Sequence, residues 1–170
     1  MEKGFCKKSE FGLTTTRHKR STDNLVSMTG QIIGKNILIV EDDMFLNAIL
    51  GRYFKKIGYQ PFLAHTAREA KTILGHRKVE MALIDYSLPD SNGIEMLDYV
   101  RQYLLFEPVF IITGSLDHKL PVEAQQHGAN GFVAKPFSAQ ALHNLILPYI
   151  EAIETQPEMR KEFLYATACA

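Results

Sequence analysis

The stretch NILIVEDD, residues 36–43, passes from an apolar run to three adjacent carboxylates in a single step. Ile37-Leu38-Ile39-Val40 is interrupted by no polar residue and is mostly β-branched, as a strand covered on both faces should be. Glu41, Asp42 and Asp43 then mark where that strand leaves the core. Beyond them Phe45, Leu46, Ile49, Leu50, Tyr53, Phe54 and Ile57 recur at helical spacing, which predicts the apolar face of a helix. Gly58 follows where a glycine ends such a helix.

The same strand–helix unit recurs four more times. Phe62-Leu63-Ala64 reads as a strand, followed by a helix to about Leu74 with Thr66 as N-cap and Glu69 completing a capping box. Met81-Ala82-Leu83-Ile84 is the third strand; after a loop to Gly93, a helix carries Ile94, Leu97 and Val100. Val109-Phe110-Ile111-Ile112 is the fourth strand, with a weakly amphipathic helix from about His118 to His127. Phe132-Val133-Ala134 makes a short fifth strand. Ser138 then caps a helix bearing Ala141, Leu142, Leu145, Ile146, Tyr149 and Ile150, which Pro148 should kink or shorten. Strands alternating with helices require parallel pairing through right-handed crossovers, so the class is α/β with a doubly wound five-stranded parallel sheet.

With 46% hydrophobic and 22% charged residues in 170, the chain has material for one core plus tails, without disulfides or a structural metal. Cys6 and Cys169 lie near opposite ends, a pattern that fits a reducing compartment. No apolar run approaches the about 20 residues of a membrane span, and no apolar run follows the first lysines, so a soluble cytoplasmic protein is expected. Residues 1–30 carry six Lys/Arg against three Asp/Glu and few large apolar side chains. Residues 1–34 are therefore read as a flexible basic extension; Lys19 and Arg20 offer an anion contact, though a solvated tail is the plainer reading. Residues 35–150 form the domain, and 151–170 a C-terminal tail in which a short helix starts at Pro157.

In a parallel sheet the functional crevice lies beyond the carboxyl ends of the strands. Asp42 and Asp43 follow the first strand, Asp85 the third, Thr113 the fourth with Gly114 and Ser115, and Lys135 the fifth. Three carboxylates at one rim raise each other's pKa values unless a cation intervenes. Oxygen ligands of this kind suit Mg²⁺ when phosphate is the other guest. A Thr hydroxyl and a Lys ammonium supply donors for phosphoryl oxygens, and a carboxylate can act as nucleophile to give an aspartyl phosphate. Each residue alone has a plainer reading: Asp43 as a helix cap, Thr113 as a strand residue, Lys135 as a surface lysine, Phe132 as core. Asp90 rivals Asp85, but only Asp85 follows the buried strand directly. The histidines, among them His65, His76, His118, His127 and His143, are scattered and expected at the surface, and no glycine-rich phosphate loop occurs.

NILIVEDD (36–43), LIDYSLPDSNGIEML (83–97), FIITGS (110–115) and GANGFVAKPF (128–137) occur in this order at the strand ends. Through them residues 35–150 resemble the receiver domains of two-component response regulators, in particular stand-alone chemotaxis regulators. The resemblance implies a flavodoxin-like sheet with strand order 2-1-3-4-5. It implies Asp85 as phosphoacceptor, and Asp43, Asp85 and the backbone carbonyl of Ser87 as Mg²⁺ ligands, with Asp42 contributing directly or through water. It further implies that Thr113 hydrogen-bonds the phosphoryl group, that Lys135 pairs with it, and that the Lys135–Pro136 bond is cis. Phe132 occupies the aromatic switch position without the hydroxyl of the commoner tyrosine, so its switching rests on packing. Gly114 stands where alanine is commoner.

On this resemblance the phosphoryl group comes from a histidine kinase or a phosphotransfer protein. Output then passes through a changed face of the fourth helix, fifth strand and fifth helix to a downstream protein, with homodimerisation on that face a further expectation. The tails are too short for a DNA-binding output domain, so no nucleic-acid binding is expected, and without a long apolar run no membrane insertion is expected either. The chain is expected to catalyse only its own phosphorylation and dephosphorylation. Two rivals stand beside this reading. A phosphohydrolase of the haloacid dehalogenase type also uses an aspartyl nucleophile, but needs a second Asp two residues on, where this chain has Ser87. The other rival is a receiver-shaped interaction module that is never phosphorylated.

Overall fold

The computed structural model describes residues 35–105, 107–115 and 117–155. Lys19, Arg20, the two cysteines and the helix expected from Pro157 lie outside the described residues. The apolar runs become β1 (Asn36–Val40), β2 (Gln60–Ala64), β3 (Met81–Asp85), β6 (Val109–Thr113) and β7 (Gly131–Ala134). They pair in parallel in the order β2-β1-β3-β6-β7, the topology expected. A two-residue antiparallel ribbon, β4 (Ser87–Leu88) with β5 (Ser91–Asn92), interrupts the third crossover and was not foreseen. The helices are α1 (Met44–Lys56), α2 (Ala67–His76), α3 (Gly93–Arg101), α4 (Leu120–Gln126) and α5 (Ala139–Thr155).

Strand period two divides the sheet between two cores. Leu38, Val40, Ala82, Ile84, Val109 and Ile111 pack with Ala70, Leu74, Leu97, Val100 and Ala124 from α2, α3 and α4. Ile37, Ile39, Met81, Leu83, Phe110 and Ile112 pack with Leu50 and Phe54 of α1 and with Leu142 and Ile146 of α5. Burying each such side chain contributes on the order of 1.5–3 kcal/mol, and both faces of the central strands use it. No helix among the described residues is long and apolar enough to cross a membrane.

Three helices depart from expectation. On α1 the buried line is Asn47, Leu50, Gly51 and Phe54, whereas Phe45 and Ile49 are exposed. α4 is shorter than expected, and Lys119 at its N-cap makes no side-chain cap hydrogen bond. α5 runs past Pro148 to Thr155, because Leu142, Ile146 and Ile150 bury one face while Pro148 lies exposed on another. His143, expected at the surface, is partly buried among the ring edges of Tyr53, Phe54 and Tyr59, and burial holds its pKa below the usual value.

Register aligns the strand ends. Val40 pairs with both Ala64 and Ile84, Asp85 with Ile112, and Thr113 with Ala134. Residues at or just beyond those positions therefore share one rim, the crevice side of an open parallel sheet.

Candidate functional site

Lys135 leaves β7 at that rim, its amide donating to the Thr113 carbonyl at 2.7 Å, and the Lys135–Pro136 bond is cis. The ammonium Nζ donates to Asp85 Oδ2 at 2.6 Å and to Glu41 Oε1 at 2.8 Å. Asp85 Oδ1 accepts a longer bond from the Ser87 amide, at 3.2 Å. The Glu41 and Asp85 side chains are 1% and 4% exposed, so both charges sit in a weakly screened environment.

The electrostatics follow from that burial. Desolvation raises the Glu41 pKa from 4.5 to about 7; the Lys135 hydrogen bond opposes the rise and the neighbouring Asp85 charge adds to it. Burial pulls the Lys135 pKa down, but hydrogen bonds to Asp85 and Glu41 outweigh it and hold the pKa above the usual value. Lys135 is therefore an ammonium at neutral pH. The folded state holds the Glu41 proton more tightly than the unfolded chain, so this contribution to stability is full below pH 4.5 and lost as pH rises to about 7. In EDTA the unfolding free energy from urea titration is expected to fall between about pH 5 and about pH 7.5, by roughly 3 kcal/mol at most from this group. Glu41→Gln should flatten that slope; an unchanged slope in the variant would assign it elsewhere.

Glu41, Asp42 and Asp85 each place a carboxylate oxygen so that all lie within 4.8 Å of one another, and this acidic group can hold a metal ion. The donor set fits a hard divalent cation: three carboxylates face one ammonium, and Glu41 Oε2, 2.8 Å from Nζ, is buried and makes no hydrogen bond among the described residues. Asp43, expected among the ligands, is not in that group. Its Oδ1 accepts from the Phe45 and Leu46 amides at 2.8 and 3.1 Å, capping α1. Of three consecutive carboxylates, the last immediately precedes the helix and is drawn to its free amides. Glu41, passed over in the sequence, takes the inner position.

Thr113, Gly114 and Ser87 fall at the same rim, whereas Phe132 pairs with Ile111 two residues short of it. Thr113 is fully buried at the end of β6, its Oγ1 accepting from the Ser115 amide at 3.0 Å. Gly114 faces open space. Ser87 opens the ribbon that follows Asp85. Phe132 is partly buried on β7, packed on the α2–α3–α4 core, and with Pro121, Ala124 and Gly131 borders a cavity of about 260 Å³.

Asp90, the rival carboxylate, accepts from the Ala67 and Arg68 amides at 2.8 and 3.0 Å. These bonds cap α2 and hold its pKa below the usual range. Gly93 donates to the Tyr86 carbonyl at 2.7 Å, and a Cβ there would lie 2.6 Å from Tyr86 Cα and 3.0 Å from the Asp85 carbonyl oxygen. Only glycine lets the start of α3 close on the backbone behind Asp85.

A doubly wound parallel sheet with carboxylates, a lysine and a threonine converging at one rim defines a receiver-like phosphoryl site. The sequence model of the response regulator receiver domain matches residues 37–147, and the chain belongs to that family. It is 31% identical over 124 residues to the photosynthetic apparatus regulatory protein RegA of Rhodobacter capsulatus, covering 73% of this chain and 67% of RegA. It is 27% identical to the transcriptional regulatory protein CrdR of Helicobacter pylori, covering 74% of this chain and 60% of CrdR. The chain thus spans between about half and two thirds of several such relatives, with 46% of GltR from Pseudomonas aeruginosa matched. Among solved structures, a CheY-like receiver domain protein from Methanospirillum hungatei superposes with a TM-score of 0.68 at 26% identity. That match covers 72% of this chain and 98% of the other. The signal receiver domain of a LuxO repressor protein from Vibrio parahaemolyticus gives 0.67 at 27% identity, covering 74% and 96%. As a receiver domain, the chain is a phosphoacceptor switch of the two-component type.

Proposed function

We propose that Asp85 is the phosphoacceptor of this switch and that its donor is the phosphohistidine of a kinase or phosphotransfer protein in the cytoplasm. The observation that carries this reading is the buried Asp85 carboxylate at the end of β3. One of its oxygens is held by Lys135 at 2.6 Å, and the other accepts a weaker 3.2 Å bond from the Ser87 amide. An Asp85 oxygen forms a bond to phosphorus as the P–N bond of the donor breaks; the imidazole keeps the bonding pair and takes up a proton. Glu41, Asp42, Asp85 and the Ser87 carbonyl would hold Mg²⁺, with Asp43 reserved to the α1 cap. When bound, that ion offsets charge on the phosphoryl oxygens. Lys135 and the Thr113 hydroxyl donate to those oxygens. Hydrolysis of the acyl phosphate by water resets the site, and no other substrate is turned over.

Output follows from the same contacts. When Thr113 turns toward the phosphoryl group, the space it vacates admits Phe132, whose motion is governed by packing. The face of α4, β7 and α5 changes and is read by a downstream protein or by a second copy. An uncapped helix of seven residues supports this role for α4, since short, weakly anchored elements open most readily. Intact mass after incubation with acetyl phosphate and Mg²⁺ tests the reading: the wild type gains one phosphoryl adduct and Asp85→Asn gains none. An adduct of equal yield in Asp85→Asn would remove Asp85 from the role.

A further inference from the structure

Asn47 is fully buried on α1, facing the sheet where every other buried α1 side chain larger than glycine is apolar. Its Nδ2 donates to the carbonyls of Glu41 at 2.8 Å and Ala64 at 2.9 Å, and lies 3.4 Å from His65 Nδ1. The Ala64 carbonyl also receives the Glu41 amide at 3.0 Å. One side chain therefore clasps the ends of β1 and β2 to the first turn of α1. The loop it closes is Glu41–Asp43, from which two of the three clustered carboxylates project. Asn47 Oδ1 is meanwhile buried with no hydrogen-bond partner among the described residues. An apolar residue of the same size would avoid that unsatisfied oxygen, so packing alone is a poor reason for an asparagine at this position.

We propose that Asn47 is a positioning residue for the cation site: by holding the Glu41 carbonyl it sets the backbone from which the Glu41 and Asp42 carboxylates reach Asp85. The inference rests on the cation-binding part of the proposed function, and deepens it. Nothing in it requires Asn47 to touch the ion. It is the outer-layer counterpart of the carboxylates, of the kind whose loss weakens metal binding without removing a ligand.

The test compares Mg²⁺ affinity, by calorimetric titration of the full chain, in wild type, Asn47→Leu and Leu104→Ala. Leu104 is buried beside the N-terminal end of β6, at the opposite rim, so its truncation reports what loss of stability alone does to the site. Asn47→Leu is expected to weaken Mg²⁺ binding by about tenfold and Leu104→Ala by less than about twofold, although both lower the urea midpoint. In ¹⁵N spectra the Asp42 and Asp43 amides should shift in Asn47→Leu before any Mg²⁺ is added. If Asn47→Leu binds Mg²⁺ as the wild type does, or if Leu104→Ala loses as much, the proposal is overturned and Asn47 is a structural clasp only. A wild type that binds Mg²⁺ but forms no phosphoryl adduct contradicts the proposed function and leaves this comparison intact. A wild type that binds no Mg²⁺ overturns both.

Discussion

Lys135→Ala is expected to destabilise the metal-free protein by about 2–3 kcal/mol at pH 7.5. The substitution removes the cation 2.6 Å from Asp85 and 2.8 Å from Glu41 and leaves two carboxylates in the core. Breaking a buried pair by deleting one partner costs about 3–5 kcal/mol, most of it the desolvation of the charge left behind. The Lys135 side chain is 25% exposed, so solvent screens part of the loss and brings the expected cost to about 2–3 kcal/mol. The deficit should shrink toward pH 5, where Glu41 takes up a proton and only one uncompensated charge remains. Urea unfolding in EDTA at the two pH values measures both. A loss below about 0.5 kcal/mol at pH 7.5 would mean that the pair is held mainly by solvent.

Gly93→Ala is expected to cost about 3 kcal/mol and to slow phosphorylation as well. Overpacking in a core is often relieved by rotating a side chain, but here the methyl group would meet main chain. It would lie 2.6 Å from Tyr86 Cα and 3.0 Å from the Asp85 carbonyl oxygen. Relief requires α3 to withdraw from the end of β3, which stretches the 2.7 Å bond from the Gly93 amide to the Tyr86 carbonyl and shifts the residue next to Asp85. By contrast, Gly114→Ala meets nothing within 4 Å and should leave stability unchanged. Thermal melts of the two variants check the pair. Equal behaviour would show that the backbone behind Asp85 is not confined as described.

How far the fold could be read in advance depends on what each element buries. Strands covered on both faces must be apolar throughout, so β1, β3 and β6 announce themselves, and the polar residue after each announces the rim. α1 was read less well. Its inward line includes Asn47, whose reason is two carbonyls, and Gly51, where a Cβ would come within 3.0 Å of Leu63. Two of its most apolar residues, Phe45 and Ile49, face outward instead, so periodicity located the helix but misaligned its face. The ribbon of β4 and β5 is two residues per strand, too short for any pattern. Within the site, Asp85, Thr113 and Lys135 were legible because a strand end fixes direction. Glu41 was not, since three consecutive carboxylates look alike until the helix start assigns the last of them to capping. Asn47 left no chemical signal at all: its role depends on the Ala64 carbonyl, seventeen residues away in sequence and adjacent only after β1 and β2 pair.

The measurement that bears most directly on the central claim is chemical trapping of the acyl phosphate. The protein is treated with acetyl phosphate and Mg²⁺, reduced with borohydride, which converts an aspartyl phosphate to homoserine, and mapped by tandem mass spectrometry. With Asp85 as the phosphoacceptor, homoserine is expected at position 85 alone, with Asp42, Asp43 and Asp90 intact. Homoserine at any of those three, with Asp85 unmodified, would contradict that assignment.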